Sequence, residues 1–306
     1  MPSGKEIASA ILRTALPLIR FQNRSAIRIL MYHRFAGMER EFAAQCDHLL
    51  KHYRPISLSG AMQEPGSNAV VITVDDGYRD FYASAFPILR SRGIPAIVFL
   101  VTDFLDRRGW IWTEQVRYVV ERTSVQQFDV AGVRVSREPG ASAALKEKLK
   151  TMPNSTRLTA IEELQRNARV QIPADPPAGS EPLTWDEVRE MARAGIEFGG
   201  HTRTHPILSR VDSIDQLDAE IAGCKARIEA ELQSSVHHFC YPNGRLEDVN
   251  PEVIQATRRA GYRSAVSTVV GLNRSGADPF LLRRLGVNPD VPMAWFERTV
   301  AGFTRG

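Results

Sequence analysis

Two histidines four residues apart, His201 and His205, and two adjacent carboxylates, Asp75 and Asp76, are the side chains of this sequence best suited to chemistry. On a turn or short helix, histidines at that spacing can face one another and chelate a single cation. Either Asp75 or Asp76 would complete a set of two histidines and one carboxylate. Such a set leaves positions open for water and substrate, as a catalytic rather than a structural metal site does. Adjacent carboxylates also repel one another unless a cation or a proton relieves them. Taken alone, H-x-x-x-H is commonly a pair of surface histidines and Asp-Asp-Gly commonly a turn. Their meaning rests on the elements that carry them.

Each group follows a short apolar run rich in β-branched residues. Asp75-Asp76-Gly77 follows 69–74, His201 to His205 follow 195–200, Tyr241-Pro242-Asn243-Gly244 closes 236–241, and His33-Arg34 follow 26–32. Further runs occur at 96–102, 263–268 and 281–287. Helix-period segments at 39–53, 79–92, 184–194, 214–232 and 251–260 separate them. In 214–232, Leu217, Ile221, Cys224, Ile228 and Leu232 recur at three- and four-residue steps and predict one buried stripe. Gly93, Gly195 and Gly261 suit helix ends. Alternating strands and helices predict an α/β fold with a parallel sheet, open or closed into a barrel. In a barrel, the C-terminal ends of the strands converge on one mouth. Four strand ends would then deliver carboxylates, histidines and a Gly-punctuated turn to one place. Residues 103–182 break the rhythm. They contain no convincing buried strand, show helical patterns at 113–122, 141–149 and 156–168, and end in the Pro-rich stretch 172–182. They read as a mainly helical insertion on the barrel surface.

Thr73-Val74-Asp75-Asp76-Gly77, His201-Thr202-Arg203-Thr204-His205 and Tyr241-Pro242-Asn243-Gly244 resemble, in order, the first three motifs of the polysaccharide deacetylases, the NodB-like enzymes of carbohydrate esterase family 4. Ile29-Leu30-Met31-Tyr32-His33-Arg34 and Leu282-Arg283-Arg284-Leu285-Gly286-Val287 resemble segments of a bacterial branch of that family. The likeness runs from about residue 26 to 290, apart from the insertion. It implies an irregular (β/α)7 TIM-like barrel over 26–306, preceded by a segment 1–25. It also implies a metal-dependent carbohydrate N-deacetylase that releases acetate from an N-acetylhexosamine unit of a glycan or glycolipid precursor. By this resemblance Asp76, His201 and His205 would hold a divalent metal, usually zinc, and Asp75 would be the general base. Tyr241, Pro242 and Asn243 would line the substrate, with the Asn243 N–H at the oxyanion.

Two positions depart from the family pattern. The Arg that orients the base falls at Cys240, and no Leu-x-His follows to protonate the leaving amine. Arg284, on a late strand, reads either as a substitute for the first or as a surface arginine beside Arg283. His33, ending a strand at the same mouth, reads either as a substitute for the second, with its ring expected across the pocket from Asp75, or as a core histidine bonded to backbone. These departures leave two alternatives open: a non-catalytic glycan-binding protein on the same fold, or a deacetylase of O-acetyl esters. Trp110 and Trp112 read either as core or as platforms for sugar rings. His237 and His238 alternate on a strand, so at most one points inward.

The composition is that of an ordinary globular chain of 306 residues, with 43% hydrophobic and 24% charged residues. This excludes collagen-like, coiled-coil and mainly disordered classes. The formal net charge is +4, and Lys5, Arg13, Arg20, Arg24, Arg28 and Arg34 stand against Glu6 alone in the first 34 positions. The remainder is near neutral, unlike a nucleic-acid-binding domain. Cys46, Cys224 and Cys240 are scattered and imply no disulfide framework. No apolar run approaches the ~20 residues of a membrane span. Residues 7–19 are interrupted by Arg13 and Pro17, and read as an amphipathic helix carrying Ile7, Ile11 and Ala15. That helix either docks on the domain itself or makes peripheral membrane contact. A soluble, cytoplasmic protein is the expectation.

Overall fold

The computed structural model describes residues 15–64 and 66–303. The strands in chain order are β1 (Arg28–Tyr32), β2 (Arg54–Pro55), β3 (Ala69–Val74), β4 (Ala96–Leu100), β5 (Gln127–Val130), β6 (Val133–Ser136), β7 (Glu197–Gly200), β8 (His238–Cys240), β9 (Ser264–Val270) and β10 (Leu282–Gly286). Seven of them close a parallel ring in the order β1-β10-β9-β8-β7-β4-β3, with β1 returning to β3. The two-residue β2 pairs with the start of β3. The parallel sheet expected from the alternating runs is therefore present, and it is closed into the α/β barrel that the family resemblance implies.

Its strands are apolar almost throughout because both of their faces are covered, as in parallel sheets generally. Ile29, Val71, Ile97, Phe99, Cys240, Val266 and Leu282 meet inside the barrel. Their neighbours Leu30, Tyr32, Val70, Ile72 and Val98 turn outward and join the layer formed with the helices. The period of two thus divides one run between two cores. On β3, Val71 and Thr73 lie on the inner line, and Asp75 is the next position along it.

The helix expected over 79–92 is two pieces. A π-helical turn, Phe81–Ala85, runs into an α-helix, Phe86–Arg92. Pro87 stands in the first turn of the second piece, where its missing N–H removes no helical hydrogen bond. Gly93 ends that helix at φ +64°, as expected.

The insertion differs from the reading of 103–182 as free of buried strands. Between the helices Trp112–Arg122 and Ala141–Lys150 it contains the antiparallel hairpin β5–β6. The turn is Ala131-Gly132, with φ of +50° and +74°. Two positive φ values are what a tight two-residue hairpin demands. Ala-Gly lacks the Asn-Gly or Asp-Gly signal that makes such a turn visible in a sequence. Here the Ala131 N–H is held by Glu163 Oε2 at 3.0 Å. Phe128, Val130 and Val135 of the hairpin pack with Val116, Leu149 and Leu164 into a core separate from the barrel. Polar contacts tie this unit to the barrel: Ser155 to Asp212 (2.9 and 3.0 Å) and Arg245 to Glu147 (2.9 Å).

Most of the amphipathic stretch 7–19 lies outside the described residues. Residues 15–22 are helical, with Leu16 buried and Leu18 and Phe21 exposed. Arg28, counted above with the basic N-terminal residues, is a buried strand residue. Its guanidinium donates to the carbonyls of Val300 (2.8 Å), Ala26 (3.0 Å) and Asn23 (3.1 Å), so it is not available to a partner. Among the described residues, no helix is long and apolar enough to cross a membrane.

Candidate active site

The strand ends converge on a cleft of about 340 Å³, lined by His33, Asp75, Asp76, His201, His205 and Asn243 among others. The adjacent carboxylates part company at their backbone. Asp75 continues the inner line of β3, its N–H bonded to the Tyr32 carbonyl at 3.0 Å. Asp76 takes the left-handed conformation, φ +76°, and Gly77 follows at φ +82°. A Cβ on Gly77 would meet Leu100 at 3.0 Å and Leu105 at 3.1 Å. The turn therefore needs glycine there, and it swings Asp76 away from Asp75.

Asp76 Oδ1 lies 3.5 Å from His201 Nε2 and 3.5 Å from His205 Nε2. Two ligands at about 2.1 Å from one tetrahedral cation are about 3.4 Å apart, so these separations suit a shared ion. His201 Nδ1 donates to the Cys240 carbonyl at 2.7 Å, which turns Nε2 toward Asp76; burial lowers the His201 pKa, but Cys240, Asp76 and Asp75 together raise it well above its usual value, so a cation would displace a proton there. Burial, and then the neighbouring His201, push the His205 imidazole down to about 3, so it is a neutral donor. Its Nδ1 is buried without a partner. Three residues of this cluster, Asp76, Thr202 (φ +67°) and His205 (φ +61°), are non-glycines in left-handed backbone. Strain of this kind, about 1–3 kcal/mol each, persists where surrounding structure enforces it. The enforcing contacts are visible. Glu220 accepts from the Arg203 and Thr204 N–H groups at 2.9 Å each, Thr202 Oγ1 accepts from the His205 N–H at 2.9 Å, and Asp103 grips the Arg203 guanidinium. The histidines stand on an irregular loop rather than a helix.

Asp75 is paired on its other side. Arg284 donates from Nη1 to Oδ1 (2.7 Å) and from Nη2 to Oδ2 (2.8 Å). Its remaining donors reach Thr73 Oγ1, Cys240 Sγ and the Ser267 carbonyl. Burial raises the Asp75 pKa, but the Arg284 charge and hydrogen bonds together with His33 and His201 outweigh it and hold the carboxyl below its usual value. The pairing of Arg284 with Asp75 that the sequence suggested is present. Leu282 lies inside the barrel and Arg284, two positions on, shares its face, while the register with β9 slips between them, Leu282 facing Val266 and Arg284 facing Val270.

His33 lines the cleft but not where the sequence reading put it. Its Nε2 is 3.7 Å from Asp75 Oδ2, on the same side of the pocket rather than across from it. The cause lies in the loop after β1, where Asp80 accepts from the Phe35 N–H and the Arg34 guanidinium and folds the chain back over β3. Tyr241 and Asn243 line the cleft, but the Tyr241 hydroxyl points away to the Phe280 carbonyl at 3.0 Å. Pro242 is buried beneath them. Cys240 is a buried thiol whose pKa burial raises, and its carbonyl orients His201. His238 is the inward member of its pair, bonded to Ser59 and Ser264. Trp112 belongs both to the insertion core and to the cleft wall, so its two readings are not exclusive. Thr113, Glu114 and Lys150 line the cleft as well. Reading the sequence missed them because nothing local distinguishes a mouth-lining helix residue from a solvated one.

The model of one family, described as polysaccharide deacetylase, matches residues 62–265. The chain belongs to the polysaccharide deacetylase family. YxkH of Bacillus subtilis (strain 168), whose name assigns it to the polysaccharide deacetylases, is 22% identical over 286 residues, 89% of this chain and 75% of its own. Among solved structures, the Streptococcus pyogenes deacetylase PplD in complex with acetate aligns with a TM-score of 0.58 at 19% identity, over 87% of this chain and 94% of that one. IcaB from Ammonifex degensii aligns with a TM-score of 0.58 at 18% identity, over 90% and 97%. At these identities the likeness to the solved structures is one of fold. As a polysaccharide deacetylase the protein is a hydrolase of carbon–nitrogen bonds, and its chemistry is carbohydrate deacetylation.

Proposed function

We propose that this polysaccharide deacetylase is a metal-dependent N-deacetylase that releases acetate from an N-acetylhexosamine unit of a glycan or glycolipid precursor. The observation that carries the reading is the division of the two carboxylates, Asp76 toward the histidine pair and Asp75 toward Arg284, at one mouth. Asp76, His201 and His205 would hold the cation, and two nitrogens with one carboxylate oxygen suit zinc. Bound there, zinc supplies Lewis acidity to a water molecule and to the acetamide carbonyl. Asp75 takes the proton of the attacking water, kept ionised and oriented by Arg284. The Asn243 N–H, with no protein acceptor among the described residues, is directed to the oxyanion. His33 gives a proton to the departing amine. Its ring lies 3.7 Å from Asp75 on one side of the pocket, so a proton taken up there has a short path to the departing amine.

The test uses metal content and turnover together. Asp75→Asn should keep about one zinc per chain while losing a factor of about 10²–10⁴ in kcat on an N-acetylated oligosaccharide. Asp76→Ala should lose the zinc. Metal lost with Asp75→Asn, or near-normal turnover, would reverse the two assignments. Turnover of O-acetyl esters alone would replace the amide with an ester as substrate, and zinc uptake without any turnover would support a glycan-binding role.

A further inference from the structure

Nine large apolar side chains are exposed among the described residues, and five of them, Leu18, Phe21, Val270, Trp295 and Phe303, belong to segments that meet around Asn23. The Asn23 side chain donates to the Ala301 carbonyl at 3.0 Å, at the end of the C-terminal helix Met293–Ala301. It also accepts from Arg274, in the loop after β9, at 2.6 Å. Val270, Trp295 and Phe303 line one groove of about 280 Å³. Leu18 and Phe21, at 60% and 61% exposure, stand on the helical residues 15–22, which end at Asn23. We propose that this face docks the protein on the surface of an anionic lipid bilayer. The inference does not depend on the reaction proposed above.

Apolar residues scattered singly on a surface need no partner, whereas a group of them marks an interaction site. Charge selects the partner. The segments that build the face, residues 15–27, 270–276, 282–286 and 293–303, leave Arg20, Arg24, Arg274, Arg283 and Arg298 exposed or half-buried. Their one carboxylate is Glu297, which turns to His48 at 3.6 Å. Among the described residues, no carboxylate forms an ion pair with any of these five arginines. The Arg24 guanidinium lies 4.0 Å over the Phe21 ring, so a cation stands directly beside an apolar anchor. Arginine interleaved with Leu, Phe and Trp suits the headgroup layer, where cations meet phosphates and apolar groups reach the acyl boundary. A second copy of the chain fits less well, because a two-fold contact would set these arginines against their own copies. The sequence before the face continues the pattern, with Ile7, Ile11 and Leu12 beside Lys5 and Arg13 and against Glu6 alone. Val270 lies two positions beyond Thr268 of the catalytic cleft, so a docked bilayer would run close to the barrel mouth.

The test is co-sedimentation of the full chain with vesicles of phosphatidylcholine alone and of an equal mixture with phosphatidylglycerol. The anionic vesicles should bind more tightly by about tenfold or more, and the difference should shrink as salt rises. Arg20→Gln combined with Arg24→Gln should weaken binding to the anionic vesicles by about 25-fold, about fivefold for each cation removed. Leu18→Ser combined with Phe21→Ser should weaken it by about tenfold or more. Both of those residues are exposed, so the thermal unfolding of that variant should stay native. No binding to the anionic vesicles, equal binding to both kinds, or full binding retained by either variant would overturn the proposal. A concentration-dependent dimer in sedimentation velocity, lost with Leu18→Ser and Phe21→Ser while vesicles are ignored, would also overturn it and assign the face to a second copy.

Discussion

Arg284→Met would leave the Asp75 carboxylate buried without its guanidinium. Both partners are almost inaccessible, at 1% and 2% exposure, and the pair is bidentate. Removing one side of such a pair costs about 3–5 kcal/mol, because the surviving charge stays desolvated. An unfolding entropy of about 2.1 cal/mol/K per residue over the 306-residue chain converts this to a fall in Tm of about 5–8 °C. The variant also changes the pH at which Asp75 can act. Burial raises the Asp75 pKa, and Arg284 leads the groups that together more than cancel that rise. Without Arg284 the carboxylate must therefore protonate at higher pH, and the acid limb of kcat/KM should move upward. Arg284→Lys, a point charge lacking the fork, should move it part of the way. Thermal unfolding and pH–rate profiles of both variants make the assay, with Asp75→Asn closing a double-mutant cycle. A native Tm together with an unmoved acid limb in Arg284→Met would refute the account of how the base is held.

His33→Ala should depress hydrolysis of an acetamide much more than that of an activated aryl acetate, since a phenol leaves without a proton and an amine does not. Equal losses on both substrates would remove His33 as the acid. His238 is buried between Ser59 and Ser264, and burial pushes its pKa down to about 4. It stays neutral in the fold while the unfolded chain takes a proton near pH 6.5. The stability this represents is whole above pH 6.5 and is lost as pH falls to about 4, to a total of about 3 kcal/mol. Urea midpoints for His238→Gln should show a shallower decline across that window, and an unchanged slope would contradict the assignment. In Gly199→Ala the new Cβ would stand 2.5 Å from the Phe99 ring and 2.7 Å from the His238 carbonyl. A loss of about 1–3 kcal/mol in urea unfolding is expected, and a neutral variant would show that β7 can shift freely.

The sequence by itself determined the parallel α/β alternation and most of the residues at the mouth, and the family resemblance of its motifs implied the barrel. A run such as Ala69–Val74 is apolar at every position but one because both faces are covered, and its period of two places Asp75 on the inner line with Val71 and Thr73. Those patterns are local, so they could be read without knowing which strands pair. What only the tertiary structure decided depends on contacts far apart in the chain. The left-handed turn at Asp76 separates two carboxylates that look equivalent in sequence, and the closure of the barrel, with β1 between β10 and β3, brings Arg284 to Asp75 across 209 residues. Glu220, in the middle of the Ile214–Leu232 helix, holds the loop that carries both histidines, although its own neighbours in sequence announce only a solvated face. The hairpin in the insertion escaped notice because its Ala-Gly turn is stabilised by Glu163, 32 residues away, rather than by its own side chains. His33 was placed at the right mouth but on the wrong side of it. Strand order selects the mouth, whereas the position within it is set by Asp80 and the fold of one loop.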